Sequence, residues 1–192
     1  VDDSGRNTEM SSEFDQLVDA IADAARKTFL DLFSNGETFY YAGLNIFEGV
    51  CPPTACAWSY EALERVAPSD RPWLKWSYAD SPYDCFKHEE YFAEVDRLFF
   101  ARPDLWEMGE ADFYAELTLR AETMVAAMAR LDAEGLFALN QPRADIVINV
   151  ESQPPDAMNL GHARRLNPPE ALTVWLHEAD TGEVASAEEP HA

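Results

Sequence analysis

The chain has 192 residues and a formal charge of −22, from 36 acidic and 14 basic side chains; such a surface repels a phosphate lattice instead of releasing counterions to it, which excludes ordinary nucleic-acid binding. Apolar residues make up 47% of the chain and aromatics 12%, enough for one packed core and far from the composition of a disordered chain. No apolar run reaches the roughly 18 residues of a membrane span, and no basic segment leads into an apolar stretch near Val1, so neither a span nor a secretory signal is read and a cytoplasmic protein is expected.

In chain order, Phe14, Leu17, Val18, Ile21, Ala25, Phe29, Leu32 and Phe33 recur at helical spacing and predict a helix from Ser12 to Phe33. Ser12 with Asp15 resembles a capping-box start, and Asn35-Gly36 supplies the stop. The aromatic and β-branched run Thr38–Phe47 is apolar at both parities, as in a strand covered on both faces. The wide loop EGVCPPT returns the chain into ACAW, predicting an antiparallel hairpin, and Ser59 caps a short helix YEALERVA. WLKWSYA alternates enough to predict a third strand, followed by turn chemistry in DSPYD. Helices are expected over Glu89–Phe100 and Glu110–Glu134, the second ended by Gly135. LFAL precedes the turn NQPR, ADIVINV is a strand, QPPD breaks the sheet, and NPPE opens a last helix with Asn167 as N-cap and Pro168 at its first position. Strands grouped early and helices later predict an α+β single domain over residues 12–178, a small, mostly antiparallel sheet against several helices, with residues 1–11 and 179–192 as flexible ends.

Cys51-x4-Cys56 and Cys85-x2-His88 supply four zinc-type ligands, but Cys56 lies inside the apolar strand ACAW, where a thiol behaves as a small hydrophobe. No metal site is therefore assigned. Three cysteines cannot all pair, and a reducing compartment is the simpler reading. A nucleophilic Cys85 beside His88 is disfavoured by the acids of HEEY, and nucleophile-elbow, phosphate-loop and H-E-x-x-H patterns are absent, so no catalytic residue and no cofactor is assigned. His162 beside Arg164 and Arg165 reads as part of an exposed segment.

The loop YADSPYDCFKHEEY mixes tyrosines and acids at polar spacing, a composition suited to gripping lysine or arginine by ion pairing and cation–π contact. Asp80, Tyr83, Asp84, Glu89, Glu90 and Tyr91 are the candidate binding residues for a basic protein partner, with an immunity protein that neutralises a cationic toxin as the most concrete form. The alternative is an enzyme or small-ligand binder with a pocket between sheet and helices, using Trp58, Trp76 and Glu151.

FYYAGLNIFEG, ACAWSYEALERVA, LKWSYADSPYD, EEYFAEVDRLF, and ADIVINVESQPPD with RRLNPPEAL, in this order from about Phe14 to Trp175, resemble the bacterial domain-of-unknown-function family 4303. The resemblance implies one compact bacterial domain and carries over no reaction, cofactor or catalytic residue. It does not require the Cys and His of CFKH, which leaves that string a feature of this chain alone.

Overall fold

Helix α1 spans Asp3–Phe33 in the computed structural model, which describes residues 3–47, 51–153 and 157–179. The helix therefore begins upstream of Ser12, which lies within it and does not cap it. No proline interrupts residues 3–12, and once nucleated a helix gains a hydrogen bond for each residue added. Its buried stripe, Leu17, Val18, Ile21, Ala25, Phe29 and Leu32, follows the predicted spacing, and the chain leaves the helix through Gly36 at φ +86°.

Strand β1 (Phe39–Phe47) is buried on both faces up to its last residue. It pairs antiparallel with β2 (Thr54–Ser59), as the hairpin reading expects, and Ser59 accepts the Ala62 amide at 2.9 Å to cap α2 (Tyr60–Glu64). The segment predicted as a third strand is instead the short helix α3 (Arg71–Leu74) followed by turns. Pro72 favours a first helical turn, the Asp70 carbonyl accepts the amides of Trp73 and Leu74, and Trp73 stays exposed; an alternating pattern alone does not supply a strand partner.

The helix predicted over Glu89–Phe100 is two, α4 (His88–Tyr91) and α5 (Ala93–Phe100), broken at Phe92, whose ring is fully buried. Helix α6 (Glu110–Ala133) ends at Gly135, φ +82°, and LFAL forms a 3-10 turn. Strand β3 (Val147–Gln153) adds parallel to β1, giving the order β2-β1-β3, so the antiparallel character is confined to the β1–β2 pair of a mixed sheet.

Two further helices close the chain, α7 (Ala157–Leu166) and α8 (Pro169–Glu178). The first was not predicted, because MNLGHARRL offers few apolar positions and carries a glycine; packing against β3 decides it. It carries His162, which is buried and not exposed as the sequence reading expects, with Nδ1 3.0 Å from the Val150 carbonyl. Asn167 does not cap α8; the residue preceding α8 is Pro168, and Asn167 turns its amide onto β3. Most of QPPD, part of EGVCPPT and the tail from residue 180 lie outside the described residues.

The sheet separates two cores. One face, with Ala42, Leu44, Ile46, Ile148 and Val150, packs in the cluster that holds the buried sides of α1, α5 and α6. The other, with Tyr41, Cys56, Trp58 and Val147, is packed with Leu160 and Ala163 of α7, Leu172 and Trp175 of α8, and the aromatic side chains of residues 74–83.

Candidate functional site

Alternation along β1 puts Tyr41, Gly43 and Asn45 on the same face, opposite Ala42 and Leu44. In the ladder Gly43 stands between Cys56 and Asn149, and Asn45 between Thr54 and Glu151. A polar row thus crosses the centre of the second core. Tyr41 Oη donates to Glu151 Oε1 at 2.5 Å, and Asn149 Nδ2 donates to the same oxygen at 3.3 Å. Gly43 makes room for this arrangement, since a Cβ there would stand 2.8 Å from Tyr41 Oη.

Loop residues complete the row. Ser81 Oγ donates to the Ala57 carbonyl of β2 and accepts the Tyr83 amide at 3.0 Å, while the Asp84 amide donates to the Ser81 carbonyl at 3.1 Å. Burial above all raises the pKa of the Cys56 thiol and the Tyr78 hydroxyl, and the charges of Glu151 and then of Asp84, which the turn holds nearby, add to it. Burial pushes the Glu151 carboxyl up, against the opposing pull of hydrogen bonds from Tyr41 and Asn149, and burial likewise raises Asp84. Apart from the contact of the Asn45 amide with the Cys56 thiol, which holds the thiol's pKa down against burial, both amide atoms of Asn45, Oδ1 of Asn149 and Oδ1 of Asp84 are shielded from solvent with no hydrogen-bond partner. Buried polar atoms are nearly always paired, so this concentration is unusual.

A raised glutamate pKa means that the folded state holds its proton where the unfolded chain has lost it. The contribution of Glu151 to stability is complete below its unfolded value and declines as pH rises toward the folded one. Glu151→Gln is expected to raise the melting temperature at pH 7 to 8, with the difference closing below about pH 4; a melting temperature lowered equally at both pH values contradicts a carboxyl destabilised by burial.

The six predicted binding residues separate into two groups. Asp80, Glu89 and Glu90 are exposed, with Asp80 accepting from Ser77 Oγ at 2.5 Å. Tyr83, Asp84 and Tyr91 are partly buried and turned toward the protein. Tyr83 Oη donates to Glu37 at 2.5 Å beside Arg65, and Tyr91 Oη donates to Asp31 at 2.6 Å, an oxygen shared with Lys87 Nζ at 2.6 Å. Their rings pack on the core because the loop has few other apolar groups to anchor it.

Of the alternative set, Trp58 is buried with its indole donating to the Ser77 carbonyl at 2.6 Å, and Trp76 stands edge-on to Tyr40 and Tyr41 at 5.1 and 6.2 Å. Cys56 is buried in β2 whereas Cys51 and Cys85 are exposed, and among the described residues no group of three or more histidines, cysteines and carboxylates is placed to hold a metal ion. Tyr41, Asn45 and Asn149 are not among the candidates that the sequence alone suggests. The signal for the last two is an asparagine inside each of two apolar strands, LNIF and VINV, where an amide has no surface to reach.

Sheet, helices and polar row define an α+β domain built on a three-stranded mixed sheet. The profile described as "Domain of unknown function (DUF4303)" matches residues 21–168, and the chain belongs to that family. Neither a curated protein nor a solved structure matches the chain. No helix among the described residues is long and apolar enough to cross a membrane.

Proposed function

We propose that the protein is an acidic binding module that holds a basic protein partner against the segment from Asp80 to Tyr91, in its most concrete form a bacterial, cytoplasmic immunity protein that neutralises a basic toxin such as a nuclease. The observation that carries this reading is the distribution of ion pairs. Arg26, Arg65, Lys75, Lys87, Arg130 and Arg165 each hold a carboxylate of the protein itself at 2.6 to 2.9 Å. Most bases at the surface are thus already matched, Lys27 being an exposed exception, while among the described residues Asp80, Glu89 and Glu90 are exposed and in no ion pair, two of them adjacent in the first turn of α4. Unmatched acids on one segment attract a cationic surface over about a Debye length and speed its encounter, an effect that salt weakens.

The test uses an arginine-rich protamine peptide as probe. Neutralising Asp80→Asn, Glu89→Gln and Glu90→Gln together is expected to weaken binding about tenfold at low salt, an amount worth roughly 1.4 kcal/mol. Neutralising Asp15, Asp145 and Glu170, which are also exposed, is expected to weaken it far less. Equal losses in the two triples would mean that total charge, not this segment, attracts the peptide, and the reading would be abandoned.

A further inference from the structure

The wholly or partly buried acids of the protein divide by their partners. Glu116 faces Arg102 and Arg120, Glu37 faces Arg65, and Asp132 faces Arg143. Glu151 and Asp84 have no such partner: Glu151 is met by Tyr41 and Asn149, and Asp84 by the Cys85 thiol at 3.6 Å, with His88 the one base that affects it. Around them Asn45 is 4% exposed and Asn149 0%, and their side-chain oxygens, with Asp84 Oδ1, are acceptors without donors. An isolated buried carboxylate is costly, and so is every unmet acceptor.

Three of the four unmet atoms of the row are acceptor oxygens, the fourth being the Asn45 amide nitrogen, and neither carboxyl is in an ion pair, so the row is short chiefly of N–H donors and of a positive charge. We infer that Asn45, Asp84, Asn149 and Glu151 form a binding site for an organic cation, an alkylammonium or guanidinium group, beside the aromatic rings of Tyr41 and Tyr78. Each feature fits that chemistry. An ammonium carries three donors and a guanidinium five, both are attracted to carboxylates, and a ring nearby adds cation–π attraction. The oxygens come from amides and carboxyls in a fixed ladder register, so the acceptors are pre-organised by the β1–β3 pairing and by the turn that Ser81 pins to β2. The cation belongs either to a free small molecule or to a lysine or arginine side chain of a protein; the recognition chemistry is the same. This inference does not depend on the role proposed for Asp80, Glu89 and Glu90.

The experiment follows the asparagine side-chain NH2 signals of the full chain by NMR during titration with n-butylammonium, with ethylguanidinium, with the uncharged butanol, and with the protamine peptide. The signals of Asn45 and Asn149, assigned by their loss in Asn45→Ser and Asn149→Ser, are expected to shift saturably with a cation and not with butanol. Glu151→Gln and Asp84→Asn should each weaken that binding about tenfold, the loss of one charge-assisted contact. If only the peptide moves these signals, with the same losses, the cation is a protein side chain. If neither small cations nor peptide move them, the row is satisfied by internal water and the inference fails; it fails equally if both substitutions leave binding unchanged. The triple Asp80→Asn, Glu89→Gln, Glu90→Gln separates the two readings, because it should weaken the peptide and leave butylammonium unaffected. Peptide affinity untouched by that triple, with butylammonium lost in Glu151→Gln, would remove the proposed surface and keep this site.

Discussion

Glu116→Ala is expected to destabilise the fold by about 3–5 kcal/mol, the usual consequence of removing one member of a buried ion-pair network. Glu116 and Arg120 are 6% and 3% exposed in their side chains and Arg102 is 12% exposed. Arg102 Nη2 donates to Glu116 at 2.6 Å, Arg120 Nε donates at 2.8 Å, and Arg120 also donates to the Pro103 carbonyl at 3.0 Å and lies over the Phe99 ring. Truncating the one carboxylate therefore deprives two largely buried guanidinium groups, Arg102 and Arg120, of the acid they share, leaving Arg102 only the longer pair with Glu13. For a chain of this length the loss lowers the melting temperature by roughly 10 °C. Glu94→Ala, which breaks the exposed i,i+3 pair with Arg97, provides the control and should cost less than about 1 kcal/mol. Burial pulls the Glu116 carboxyl upward, but the hydrogen bonds from Arg102 and Arg120 prevail and hold it below the ordinary glutamate value. Its contribution to stability is thus present above the unfolded value and lost as pH falls through the folded one. The gap between wild type and Glu116→Ala should narrow in acid; a gap constant from neutral to strongly acidic pH contradicts the assignment.

Asn167→Ala is expected to cost about 3 kcal/mol, because it strands several buried backbone groups at once. The amide accepts from the Ile148 N–H at 2.8 Å and donates to the Ile148 carbonyl at 2.6 Å, as a neighbouring strand would, and it also donates to the Ala163 carbonyl at 2.8 Å. Arg143 Nη2 donates to the same side-chain oxygen at 3.1 Å. Strand β3 lies at the edge of the sheet, and Asn167 occupies backbone positions that another chain could otherwise pair with. Hydrogen exchange reads this directly. The Ile148 amide should lose protection in Asn167→Ala by more than the global destabilisation explains, whereas amides on the β1–β2 side should follow the global change alone. Uniform loss across the sheet would mean that Asn167 acts only through overall stability.

The sequence reading of Asn167 shows where local signals stop being sufficient. Asn-Pro-Pro-Glu has the spacing of a helix start, and α8 does start there, but the amide is needed more by the strand edge than by the helix. Periodicity revealed α1 and α6 because their buried faces repeat over many turns, and it revealed β1 because a strand buried on both faces is apolar throughout. It failed over Trp73–Ala79, where Trp76 and Tyr78 pack as a cover, Trp73 stays exposed and the backbone finds no strand to pair with, and over α7, whose helix depends on β3. The parallel placement of β3 beside β1 depends on a crossover through about half of the chain, residues 48–146, which no local pattern reports. The candidate surface was legible as composition, since charge and aromatics can be counted. That Tyr83 and Tyr91 turn inward to Glu37 and Asp31 was not, because both partners are distant in sequence. The polar row was visible only as two asparagines in apolar strands; that Asn45 stands beside Glu151 requires the β1–β3 register.

On the proposed function the negative groups offered to a partner are gathered on one flank, around Asp80, Glu89 and Glu90. Backbone amide chemical-shift mapping with the protamine peptide tests it most directly. Shifts concentrated in residues 77–91 at low salt, fading as salt is added, are the predicted result; shifts distributed equally over the exposed carboxylates of α1, α6 and α8 would contradict it.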